Sequence, residues 1–167
     1  PSAPVEPPLI LSVGIQHPRK GHDILLRALA GITEDDWRAV IVGSAYDAPH
    51  AGALAEPHEE LRLGRRAIIA GRVSPDRLSA LYRAASVFAL ATRYEGYGIV
   101  FDEALAHGLP TVSCRTGAVP QTVPSGAGLL VRPEDPEAFA EAMRCVLTDR
   151  ELRRSLAAAA ARAGGAL

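Results

Sequence analysis

Cysteine is nearly missing: Cys114 and Cys145 are the only two in 167 residues, and they form no spaced cluster. That sets aside a disulfide frame, and so sparse a pair reads as core thiols in a reducing compartment, the cytoplasm. A charge excess is missing too, with 18 Lys plus Arg against 19 Asp plus Glu and a formal net charge of −1. No global field draws the chain to nucleic acid or to an anionic membrane, so any anion site must be local. No apolar run approaches the ~20 residues that span a bilayer, and the first residues lack the basic-then-apolar layout of a secretory signal. His17, His22, His50, His58 and His107 show no ligand spacing for zinc. Ser113 and Ser125 lack the elbow that exposes a nucleophile, so a hydrolase is not expected.

What is present is a 48% hydrophobic chain, enough for one domain with its own core. Residues 1–8 hold four prolines and almost nothing that could pack, and read as a linker or inter-domain segment ahead of a domain spanning 9–167. Beyond them, short apolar runs ending at Gly or Pro alternate with helical stripes. Strands are expected at Leu9 to Val13, Ala39 to Val42, Ala67 to Ala70, Val87 to Leu90, Thr111 to Cys114 and Gly128 to Val131. Helices are expected from Pro18 with Gly31 just past the end, carrying Ile24, Leu25, Ala28 and Leu29 on one face, then within Ala51 to Leu63 and from Pro75 through Ala84. Three more are expected at about Gly98 to His107, Pro136 to Leu147 and Glu151 to Ala163. The Ala-rich stretch Leu156 to Ala163 reads as an amphipathic helix whose small residues are available to a partner domain.

Repeated β-α units of this length bury both faces of a sheet only as a doubly wound parallel layer. The fold class is therefore α/β, a Rossmann-like doubly wound parallel six-stranded sheet with order 3-2-1-4-5-6. Ligands bind such sheets beyond the carboxyl ends of the strands where the order reverses, here between strands one and four. Two loops matter on that basis, Gly14 to Gly21 and Ala91 to Gly98. Asp35-Asp36 lies between a helix and the second strand, at the wrong sheet end for a metal site.

In Glu95-Gly96-Tyr97-Gly98-Ile99-Val100-Phe101-Asp102-Glu103, two glycines precede a helix and leave its first amides and positive dipole end open to an anion such as phosphate. Glu103 is expected on the face with Ile99, Val100 and His107, partly buried. Either a neighbouring Arg such as Arg93 or Arg115 or the hydroxyls of a sugar or ribose would satisfy it, and position alone favours the Arg. Glu95 taken singly is a capping or dipole-compensating carboxylate, but its place at the strand-four mouth gives it a ligand to meet. Arg19 and Lys20 are adjacent cations at the switch point; such pairs are usually solvated, while a lysine there suits a diphosphate as a compact point charge.

The unit from Glu95 to Glu103, continued by Ala104-Leu105-Ala106-His107-Gly108-Leu109-Pro110-Thr111-Val112, resembles the paired-glutamate signature of retaining glycosyltransferases of family 4, which have the two-domain GT-B architecture. Ser12-Val13-Gly14 with Pro18-Arg19-Lys20-Gly21-His22-Asp23 resembles the family's donor-diphosphate loop. Thr116-Gly117-Ala118-Val119-Pro120 resembles its loop after strand five, and Gly128-Leu129-Leu130-Val131 its last strand. Order and spacing agree from Leu9 to about Ala163.

The resemblance implies the C-terminal, donor-binding half of a GT-B enzyme, hexosyltransferase-like and retaining, with a UDP- or GDP-linked sugar as substrate and neither metal nor cofactor. Glu95 would contact donor-sugar hydroxyls, Glu103 the ribose, and Lys20 the diphosphate together with the amides of Tyr97, Gly98 and Ile99. Gly14, Ile15 and Arg19 would line the diphosphate loop, and Arg72 and Val73 would meet the base through backbone. The acceptor, and any peripheral membrane contact, would belong to an N-terminal domain absent from this chain, so the isolated domain is expected to bind donor without transferring sugar. The family commonly has Arg where this chain has Ile15, which leaves Arg19 to substitute or Lys20 to act alone; Gln121 stands where Glu is frequent. A nucleotide-sugar epimerase would share the cleft but not the Glu95 to Glu103 spacing. Ile15 is the main argument for a non-catalytic sugar-nucleotide-binding module.

Overall fold

The computed structural model describes residues 6–47, 49 and 52–165. Most of the proline-rich opening expected as a linker, together with His50 and the start of the second helical segment at Ala51, lies outside them. Six strands follow in chain order: β1 Leu9–Val13, β2 Arg38–Val42, β3 Ala67–Gly71, β4 Val87–Leu90, β5 Thr111–Cys114 and β6 Gly128–Val131. They form one parallel sheet ordered β3-β2-β1-β4-β5-β6, as expected from the sequence. Leu11 pairs with Val40 on one side and with Phe88 on the other, so β1 and β4 flank the point where the order reverses.

The helices are α1 His22–Ala30, α2 Ala55–Glu60, α3 Pro75–Ala84, α4 Ile99–Ala106, α5 Val119–Thr122, α6 Pro136–Thr148 and α7 Arg150–Gly165. Alternate strand residues feed two separate cores, because successive side chains point to opposite faces. Ile10, Ile41, Ala89 and Val112 join Leu25, Leu29, Phe139 and Met143 beneath α1 and α6. Leu11, Val40, Phe88 and Leu90 join Tyr82, Phe101 and Ala104 beneath α3 and α4. Both faces are thus covered, as an all-parallel sheet requires.

Two expectations change and one element is added. The first helix begins at His22 rather than Pro18, because Pro18–Lys20 form a separate 3-10 turn closed by Gly21 in the left-handed region. The four-residue α5 is too short for a hydrophobic period to reveal. Finally, the small residues of α7 dock on α4 of this same chain: Ala160 is buried with Leu105 and Ala127, and a Cβ at Gly164 would stand 2.2 Å from the Leu105 carbonyl.

Candidate functional site

The loop after β1 starts along β2 and ends against β4. Gly14 donates its N–H to Val42 O at 2.9 Å, and Gln16 donates Nε2 to Gly43 O at 2.9 Å. The 3-10 turn then carries the chain across, and Gly21, at φ +67°, closes on the end of β4; a Cβ there would stand 1.8 Å from the Ala91 carbonyl oxygen. His22, buried at the start of α1, holds the loop from below by donating Nε2–H to Gly14 O (3.0 Å) and Ile15 O (3.2 Å).

Burial is the main reason that His22 titrates below its usual range, and the charge of Lys20 acts in the same direction; the two carbonyls and Asp23 oppose it without prevailing. The unfolded chain therefore takes up a proton near pH 6.5 that the native ring refuses. Stability from this group is complete above that pH and falls as the pH drops below it, by up to about 1.4 kcal/mol per unit. Thermal melts from pH 7.5 down to 5 should show this loss, and His22→Gln, which keeps a donor and cannot titrate, should flatten it. An equal slope in the variant would rule His22 out as the source.

The loop after β4 is fastened to the first. Arg93 donates its N–H to Arg19 O at 2.8 Å, and the Thr92 hydroxyl reaches the same carbonyl at 3.2 Å. The Arg93 guanidinium grips both oxygens of Asp23 at 3.0 and 2.9 Å and also contacts Pro18 O and Glu134. Burial pushes Asp23 up, but the hydrogen bonds and charge of Arg93 outweigh it and hold the carboxyl below its ordinary value. Arg93 therefore ties the first loop, α1 and the segment after β6 into one rim.

Across that rim Lys20 meets Glu95. Lys20 Nζ donates to Glu95 Oε1 at 3.0 Å and Oε2 at 2.7 Å, with side chains only 12% and 10% exposed. Beside them α4 begins at Gly98, whose helix start has no side-chain cap, so its first amides remain open. Tyr97 and Ile99 project on either side of Gly98, 85% and 66% exposed. Glu103 lies further along α4, exposed, and its Oε2 accepts from the Tyr82 hydroxyl at 3.0 Å. Burial and the adjacent Glu103 carboxylate raise the Tyr82 phenol well above its ordinary value.

The structure changes the expected setting of both acids. Glu95 is the buried one and is ion-paired, not a cap. Glu103 is exposed because the core face of α4 is Phe101, Ala104 and Leu105, which leaves Ile99 and Glu103 on the open side. Neither arginine satisfies Glu103: Arg93 is committed to Asp23 and Glu134, and among the described residues Arg115 does not pair with Glu103. Of the other expected residues, Gly14, Ile15 and Lys20 share the first loop, and the Arg19 side chain is exposed with its carbonyl serving as the anchor. Arg72 follows β3, exposed, and Val73 packs against the core under α3. Asp35 pairs with Arg144 at 3.3 Å, away from the rim. Sequence reasoning missed Tyr82, Asp23 and the anchoring role of His22. His22 and Asp23 offered a signal, following Lys20-Gly21 in the same loop motif.

A family model described as glycosyl transferases group 1 matches residues 1–163. The D-inositol 3-phosphate glycosyltransferase of Nocardia farcinica is 36% identical over 171 residues, covering 98% of this chain and 38% of the relative. That of Corynebacterium glutamicum is 34% identical over 157 residues, covering 90% and 37%. The chain therefore spans under two fifths of the length of these curated relatives. Sucrose-phosphate synthase from Thermosynechococcus elongatus superposes with a TM-score of 0.87 at 32% identity, over 99% of this chain and 42% of that one. Anabaena Alr3699/HepE, solved in complex with UDP and glucose, shares the fold with a TM-score of 0.86 at 23% identity, over 95% and 43%.

Proposed function

Since the chain belongs to the glycosyl transferases group 1 family, we propose that it binds a nucleoside-diphosphate sugar for a retaining, metal-independent glycosyl transfer to an acceptor held by a further domain. The observation that supports this reading best is the Lys20–Glu95 pair, which joins the two switch-point loops beside the uncapped start of α4. An ammonium has three N–H donors, and Glu95 takes two. The third remains for a phosphate oxygen, so one lysine serves the diphosphate while holding Glu95 against the sugar hydroxyls.

In the reaction the bond from the anomeric carbon to the β-phosphate oxygen breaks, and a bond to the acceptor oxygen forms on the same face. The acceptor proton passes to the departing phosphate. Negative charge grows on the diphosphate, where Lys20 and the amides of Gly98 and Ile99 stabilise it without reorganising. With Ile15 in the first loop and Arg19 turned to solvent, Lys20 is the principal cation in this reading. Glu103 takes the ribose, and the backbone at Arg72 and Val73 meets the base, uridine or guanosine. Both cysteines are free thiols, in keeping with a cytoplasmic setting.

Melting curves of this domain with UDP, GDP and ADP, each with and without sugar, test the reading. A ligand at 100 times its dissociation constant adds about 2.7 kcal/mol, roughly 5–10 °C for a chain of this size. No shift with any of the three would remove the proposal, as would a shift that survives Lys20→Ala and Glu103→Ala.

A further inference from the structure

Glu103 is held at both ends of its own residue. Its carboxylate accepts from the Tyr82 hydroxyl at 3.0 Å, and its carbonyl accepts from His107 Nδ1–H at 2.9 Å. The two donors are not independent, because their rings stack on each other with centroids 4.7 Å apart and planes 13° from parallel. Tyr82 is itself buried, and its ring also lies alongside Phe88, 14° from parallel with centroids 6.4 Å apart. The hydroxyl is thus delivered to Glu103 by a ring with little freedom to turn.

This matters because Glu103 is otherwise an exposed carboxylate on a helix, free to explore several rotamers. Tyr82 fixes Oε2, while Oε1 accepts nothing from the described residues. A phenol kept protonated by burial and by the neighbouring carboxylate remains a donor across the whole working pH range. We infer that Tyr82, braced by His107, is a positioning residue that presets Glu103 to read a cis-diol, giving the site its preference for ribonucleotides over deoxyribonucleotides. The inference rests on the assignment of Glu103 to the ribose made above. The preset carboxylate keeps lone pairs for two hydroxyl donors, and a 2′-deoxyribose supplies only one of them. The Tyr82 side chain is buried and donates to Glu103, so it acts through that carboxylate.

The test compares dissociation constants for UDP, 2′-deoxy-UDP and inorganic pyrophosphate, with the GDP pair run alongside, in the wild-type chain, Tyr82→Phe and Glu103→Gln. Phenylalanine keeps the ring and its stack, and far-ultraviolet dichroism with melting temperature checks that each variant is folded. Wild type should prefer the ribonucleotide by about tenfold or more, the scale of one hydrogen bond to a charged group. Tyr82→Phe should lower that preference to roughly threefold or less while leaving pyrophosphate affinity alone, which a general loss of packing would not do. If Tyr82→Phe keeps the wild-type preference while Glu103→Gln loses it, the positioning role is wrong and the ribose assignment stands. If Glu103→Gln also keeps it, or the wild-type chain binds neither ribonucleotide, both fail.

Discussion

Lys20→Met is expected to destabilise the domain by about 3 kcal/mol, whereas the double variant Lys20→Met/Glu95→Leu should recover most of that loss without recovering function. The asymmetry comes from burial. Glu95 is 8% exposed and its backbone is pinned, with its carbonyl accepting from Ala118 N–H at 2.7 Å. It cannot follow a lost cation out to water. Removing Lys20 alone therefore leaves a carboxylate desolvated and unpaired, which costs far more than the pair itself contributes. Replacing both by apolar groups of similar size removes the desolvation cost together with the attraction. Stability and function should then part company: denaturant melts recover, while on the proposed function sugar transfer falls by roughly 10²–10³ in both variants, the scale of losing one preorganised stabiliser of developing charge. Near-normal turnover in the double variant would show that the pair is structural and that the donor is gripped elsewhere.

Gly21→Ala is expected to be as damaging from a single methyl. The residue sits in the left-handed region, which costs a non-glycine residue about 1–2 kcal/mol. Its Cβ would also stand 1.8 Å from the backbone oxygen of Ala91, which no rotamer change can relieve. The strand end or the loop must move, adding roughly 1–3 kcal/mol. Because Lys20 precedes Gly21 and Thr92 follows Ala91, the movement separates the loops that the Lys20–Glu95 pair joins. Gly64 gives the control: it has φ +57° with nothing within 4 Å of its would-be Cβ, so Gly64→Ala should show the conformational cost alone. Melting curves with and without UDP or GDP separate the two: the nucleotide shift should vanish in Gly21→Ala and persist in Gly64→Ala. Equal shifts would mean that the contact with β4 does not position the site.

The fold was readable because each strand is a short apolar run stopped by Gly or Pro, and because repeated crossovers leave a parallel sheet few orders to adopt. Lys20 and Glu95 could each be picked out from the loops they occupy. Their direct pairing could not, since 75 residues separate them and nothing local couples a 3-10 turn to the mouth of another strand. Glu103 was misjudged for a different reason. The expectation took Ile99, Val100 and His107 as the inward stripe of α4, whereas the helix turns Phe101, Ala104 and Leu105 inward. An apolar residue at a helix start need not face the core when a glycine-rich turn aims that start at a cleft. Tyr82 gave no sign at all, because an aromatic at helical spacing reads as packing until its hydroxyl is seen to have a partner.

The seam between α7 and α4 has a consequence for precision. It is made of methyl groups and bare backbone, with Ala160 against Leu105 and Gly164 over the Leu105 carbonyl. Such a joint, in which Leu105 is buried at 1% exposure against small residues, leaves little room for a rotamer change to absorb a displacement. Hard contact between main chains fixes the height at which α4 rests, and with it the level of its uncapped start at the rim. The tolerance of the switch-point rim is thus machined from behind, by alanines of α7.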